Sequence, residues 1–156
     1  MMHPRGIEIR NEQYYNAALD RLEDVKGLKA TGRGNSAGAA YLCGLSVECA
    51  LRALIPVGRE FYDRHNLLAL AGAGALKLAD ERAYQELSLA LNEMTILWQN
   101  TLRFYSEDRF SAFCRDKVQS TGLRPKRGTS PAKVLCGRLF DVSNLAFTGC
   151  ARLWLK

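Results

Sequence analysis

Two side chains in this sequence have the types for phosphoryl or proton chemistry. His65 follows Arg59 with five residues between them. An imidazole exchanges a proton near neutral pH. Beside an RNA backbone, it would serve as general base or acid for attack of a 2′-hydroxyl on the adjacent phosphate. Arg59 would then stabilise the charge that develops on that phosphate. A histidine directly before Asn-Leu-Leu also works as a helix-start residue whose ring packs or hydrogen-bonds locally, and the sequence reading favours that role. Glu48 is the other conspicuous group, because it interrupts a stretch of small and apolar residues. A buried carboxylate is costly unless it is paired or hydrogen-bonded. Arg52 lies four residues on, in the favourable order for a helical ion pair. Arg103, from a later helix, is an alternative partner. The preferred reading is a salt bridge locking two helices. The functional alternative is a polar site shared by Glu48, Arg103 and Tyr105.

A second group of candidates is purely electrostatic. The net charge is +6, and from Arg115 onward there are nine Lys or Arg against two acids. The stretch before Arg115 carries thirteen basic and fourteen acidic residues, so the excess belongs to the C-terminal part. Arg124, Lys126 and Arg127 sit in a Pro/Gly loop, with Arg115, Lys117 and Lys133 nearby. These six are the candidate phosphate contacts; the plainer reading is a solvated face. No aromatic residue is interleaved with them in sequence, which argues against a base-stacking platform. The GRGNSAG segment lacks the GK[ST] ending of a phosphate-binding loop.

Metal and cofactor chemistry finds no motif. The five cysteines include no CxxC pair, and with only two histidines no zinc ligand set is expected. The odd count suits buried, reduced thiols. MMHPRGIEIR has no apolar signal region, and no apolar stretch is long enough to span a bilayer. The expectation is a cytoplasmic protein with no membrane association.

The elements that must position these residues read as helices. At 156 residues, 47% hydrophobic and 24% charged, the chain suits one globular domain over 1–156. Tyr15, Ala18, Leu22 and Val25 give one apolar stripe to a helix from about Asn11 to Lys29, leaving 1–10 as a flexible N-terminus. Ser36 caps a second helix to about Ile55, dense in small residues and apolar on most faces, hence central. Residues 60–78 form a short, broken segment. A longer helix from Glu81 to about Asn100 buries Leu87, Leu91, Met94 and Trp98. The chain turns near Ser106–Asp108, and Phe110 and Phe113 suggest another helical piece. Residues 120–130 are the basic Pro/Gly loop. Ser130 followed by Pro131 starts the last and most apolar helix, which packs within the bundle or against a second subunit. The expected fold is all-α, an up-and-down bundle of four or five helices.

AYLCGLSVECALRALI resembles the HEPN family (higher eukaryotes and prokaryotes nucleotide-binding), whose bacterial members often carry a similar small-residue helix. His65-Asn66-Leu67 stands where many members have a GHDL-like turn. Trp98, Leu102, Arg103, Tyr105 and Ser106 are similar to their W…LRYS segment. The resemblance runs from about Asn11 to Phe113. It implies a HEPN-like helical bundle, a homodimer, and a nucleotidyltransferase-type partner in a toxin–antitoxin system. It also implies RNA or a nucleotide as ligand. Its ribonucleases pair an arginine with a histidine late in the chain and use no metal. Here no histidine follows His65, so the expectation is a non-catalytic or partner-dependent binding protein. A metal-independent endoribonuclease and a helical scaffold without a nucleic-acid role are the alternatives.

Overall fold

The structure, a computed structural model, describes residues 4–55, 65–73 and 81–154. Every regular element among them is helical. In chain order they are α1 (Pro4–Ala30), α2 (Ala37–Ala53), α3 (Leu67–Ala73), α4 (Glu81–Leu97), a 3-10 helix η1 (Asn100–Phe104), α5 (Glu107–Thr121) and α6 (Pro131–Trp154). Six α-helices is more than the four or five expected. The difference is that both short pieces, α3 and α5, are complete helices. α1 also begins at Pro4, ahead of the Asn11 start, and so takes in residues 4–10 of the stretch expected to be flexible.

Caps set most of the other boundaries. Ser36 Oγ accepts from the Ala39 amide at 3.2 Å, and Ser106 Oγ accepts from that of Arg109 at 3.3 Å. Ser130 Oγ accepts from Lys133 at 3.2 Å, with Pro131 in the first helical position. Each cap satisfies one of the amides that a helix start leaves unpaired. α5 ends on Gly122, whose φ of 68° is the left-handed stop that a glycine adopts cheaply. α4 stops at Leu97, short of Asn100, and the chain tightens into η1.

α2 and α6 form the centre. α2 packs on α1, α3, η1 and α6; α6 packs on α1, α2, α4 and α5. The last helix therefore buries its apolar face within its own chain, through Leu135, Leu139, Val142, Ala146 and Leu153. The small residues of α2 allow close approach to its neighbours. At Gly44 the Trp98 indole lies against the backbone so closely that a Cβ would sit 1.9 Å from Trp98 Cε2. Trp98 Nε1 donates to the Tyr41 carbonyl at 3.2 Å, which fixes the ring. Together with the packing of η1 on α2, these contacts tie the chain just ahead of η1 to the central helix. The buried Ser46 and Ser143 hydroxyls donate to carbonyls of their own helices, Cys43 O and Phe140 O, at 2.7 and 2.9 Å, so neither is left as an unpaired polar group.

Candidate functional site: a glutamate–histidine pair and a basic hairpin

Glu48 is 4% exposed, on the inner face of α2. Its Oε1 lies 2.6 Å from His65 Nδ1 and 3.7 Å from Arg52. Arg52 is thus the expected helical partner, and His65 is the one that sequence reasoning placed elsewhere. The helix-start role falls to the next residue: Asn66 Oδ1 accepts from the Ala69 amide at 3.0 Å and caps α3. This leaves the imidazole to reach across to α2. The backbone at His65 has φ 72°, a left-handed conformation uncommon for a residue with a Cβ. The chain therefore enters α3 through a strained residue whose side chain is held by a buried carboxylate.

That geometry orients the ring. With an ionised Glu48 as acceptor, Nδ1 carries the hydrogen, and in the neutral ring Nε2 is then the lone-pair nitrogen. The His65 side chain is 32% exposed and lines a cleft of about 340 Å³. Thr95, Trp98, Gln99 and Asn100 form the rest of its wall, together with Asn66 and Leu67. Gln99 Nε2 donates to the Tyr105 hydroxyl. Asn100 Oδ1 is buried without a hydrogen-bond donor among the described residues.

The polar site expected from Glu48, Arg103 and Tyr105 is not assembled. Arg103 stacks over the exposed Phe104 ring at 4.5 Å. Tyr105 packs edge-on against Phe113 at 5.7 Å and carries Arg109 over its face at 4.3 Å. Both residues lie on η1 or at its end, where the side chains turn to aromatic neighbours rather than to α2. Tyr105 connects to the cleft through Gln99. Arg59, the expected partner of His65, lies outside the described residues.

The C-terminal charge separates into two populations. Arg138 makes a two-pronged pair with Glu93 at 2.5 and 2.7 Å, and Arg152 lies 3.8 Å from Glu86, so α4 neutralises α6 there. The pairing with Glu93 raises the Arg138 pKa further. Arg115, Lys117, Arg124, Lys126, Arg127 and Lys133 have no ion-pair partner among the described residues. They occupy one continuous hairpin, from mid-α5 through the loop to the first turn of α6, and all but the half-buried Lys117 are exposed. Lys117 lies 5.6 Å from the Phe113 ring, in line with Arg109 and Phe113 on one face of α5. One of the six basic residues, Lys117, thus has an aromatic neighbour in space, although the sequence of the loop contains none.

Burial raises the pKa of all five thiols: Cys43 to about 11, Cys114 and Cys150 to about 12, Cys49 and Cys136 also upward. None is a thiolate nucleophile at neutral pH. Among the described residues no group of three His, Cys, Asp or Glu is placed to hold a metal ion, and no helix is long and apolar enough to cross a membrane. Comparison of the chain with family models, with curated proteins and with solved structures found no match.

Proposed function

We propose that this chain is a HEPN-like helical protein that binds RNA through the α5–α6 hairpin. The observation that carries the reading is the set of six cations on that hairpin with no ion-pair partner among the described residues, beside an α4–α6 pairing that neutralises Arg138 and Arg152. Cations left unpaired on one ridge attract a phosphate backbone and release its counterions. The resemblance in α2, at His65–Leu67 and at Trp98–Ser106 adds a homodimer and a nucleotidyltransferase-type partner to this reading.

A specific observation favours a second reading. The Glu48–His65 hydrogen bond fixes the imidazole at the wall of a polar cleft, the arrangement a general base needs. In that reading the protein is a metal-independent endoribonuclease, with His65 drawing the proton from a 2′-hydroxyl.

One experiment separates them. A labelled RNA is titrated with protein in EDTA, followed by anisotropy and by gel. Binding without cleavage is expected, with log K falling against log salt at a slope of about −3 to −4, as for neutralisation of single-stranded phosphates by four to six cations. Lys126→Glu/Arg127→Glu should weaken binding by about tenfold or more at low salt. Cleavage abolished by His65→Ala would establish the second reading. Equal binding by the charge-reversed protein would sink the first.

A further inference from the structure

The segment from η1 through α5 carries three pairings of a cation with an aromatic ring. Arg103 lies over Phe104 at 4.5 Å, Arg109 over Tyr105 at 4.3 Å, and Lys117 lies 5.6 Å from Phe113. None of these three cations has an ion-pair partner among the described residues. Arg109, Phe113 and Lys117 follow one another at spacings of four on one face of α5. The two cations therefore stand about 12 Å apart along the helix. The rings that the basic loop lacks are present on the elements just before it, and the line of cations continues from α5 into the hairpin.

Most of these rings are held in place. Buried Phe110 stacks on Phe113 at 6.3 Å, Phe113 meets Tyr105 edge-on, and Gln99 donates to the Tyr105 hydroxyl. Fully buried Leu102 anchors η1. Phe104 is different. Arg103 lies against it, yet the residue is 71% exposed. A lone exposed phenylalanine is ordinary. This one stands on an anchored turn, with a cation already on the ring and further unpaired cations along the next helix. The acids of α5 interfere little. By helical periodicity Glu107 and Asp108 turn away from the Arg109–Phe113–Lys117 face, and Asp116 alone borders it.

The combination selects among polyanions. An RNA duplex presents phosphates but keeps the faces of its bases stacked inside, so an exposed ring adds nothing to its binding. A single strand offers phosphates to the cations and an unpaired base to the ring, and a guanidinium beside the stack strengthens it. We infer that an unpaired RNA base stacks on Phe104 while the neighbouring phosphates run past Arg109 and Lys117 toward the hairpin, which makes the ligand single-stranded RNA. The inference rests on the proposed RNA binding and deepens it by naming the class of RNA. The stack involves no charge on Phe104, whereas the hairpin acts through charge, so the two separate by experiment.

The test titrates the full chain against a labelled oligoribonucleotide of mixed sequence, as a single strand and annealed to its complement, over a range of salt. The wild type should bind the single strand about fivefold or more tightly than the duplex. Phe104→Ala, at an exposed position, should keep the circular dichroism and melting temperature. It should bind the single strand about tenfold more weakly with the salt slope unchanged, and Phe104→Tyr should bind as the wild type does. Arg109→Gln should make the slope shallower by about 0.7. Equal binding by wild type and Phe104→Ala, in a protein that Lys126→Glu/Arg127→Glu weakens, would overturn the stack, leave the hairpin reading standing and assign Phe104 to a protein contact. A duplex bound as tightly as the single strand would also overturn the stack. A wild type that binds neither RNA would overturn both readings.

Discussion

Glu48 and His65 depend on each other in a way that neither depends on Arg52. The imidazole is the short contact at 2.6 Å, and the guanidinium at 3.7 Å is a looser one. A hydrogen bond to an ionised group contributes about 1.5–3 kcal/mol. Removing one partner also leaves the other buried with fewer bonds. A double-mutant cycle of Glu48→Gln and His65→Ala, read by urea unfolding, should therefore show a coupling of about 1.5 kcal/mol or more. Additivity of the two substitutions to within about 0.5 kcal/mol would mean that the pair does not hold α3 to α2. The same cycle bears on function. If His65 is only a structural anchor, RNA binding should follow the stability loss and nothing more.

At the scale of elements, the contact of Gly44 with Trp98 decides where η1 sits. Gly44→Ala puts a methyl inside the indole, so either the ring leaves Tyr41 or α2 moves. Overpacking of this kind costs about 3 kcal/mol or more when the neighbour is a rigid ring. The expected result is a lower melting temperature with a shifted tryptophan emission; an unchanged emission would mean that Trp98 has another way to pack. Much of this level was legible beforehand. Ser36 and Ser130–Pro131 mark helix starts by chemistry that acts within four residues, whereas Ser106, read as part of a turn, proved to be a third cap. The stripe of Leu87, Leu91, Met94 and Trp98 reads directly as a buried face. What was not legible depended on distance in the chain. Glu48 and His65 are seventeen positions apart, and nothing local to either specifies that contact. Arg103 was a sequence alternative to Arg52 as partner of Glu48, and η1 turns it toward Phe104 instead. The one available signal was that Asn66 is a better cap than His65, which frees the imidazole for something else. The basic hairpin was legible as charge, but its separation from Arg138 and Arg152 required the α4–α6 packing.

For the whole molecule, the buried thiols make a prediction about alkaline pH. An unburied cysteine ionises near 9.0, whereas Cys43 is pushed up to about 11 and Cys114 and Cys150 to about 12. The folded state therefore holds these protons more tightly than the unfolded state does. The stability this provides is complete below pH about 9 and is lost as pH rises through the folded values, at up to about 1.4 kcal/mol per pH unit for each thiol. The melting temperature should fall between pH 8.5 and about 10.5, and Cys150→Ala should flatten that fall. A melting temperature that is flat over this range, or a slope unaltered by the substitution, would count against the burial of these thiols. The distribution of charge acts at the same scale. The chain balances α4 against α6 and leaves its excess on one hairpin, so salt should alter polyanion binding far more than it alters folding.

The left-handed backbone at His65 has a consequence for selection. Glycine or asparagine would take that conformation with less strain, yet neither can reproduce the imidazole bond to Glu48. A population of variants screened for heat resistance alone should lose His65 to one of them whenever the backbone relief outweighs that bond. Persistence of histidine under such a screen would show that the bond is the stronger of the two. Its loss there, against retention in a screen that also demands RNA binding, would mark residue 65 as a position where the molecule keeps strain for the sake of its task.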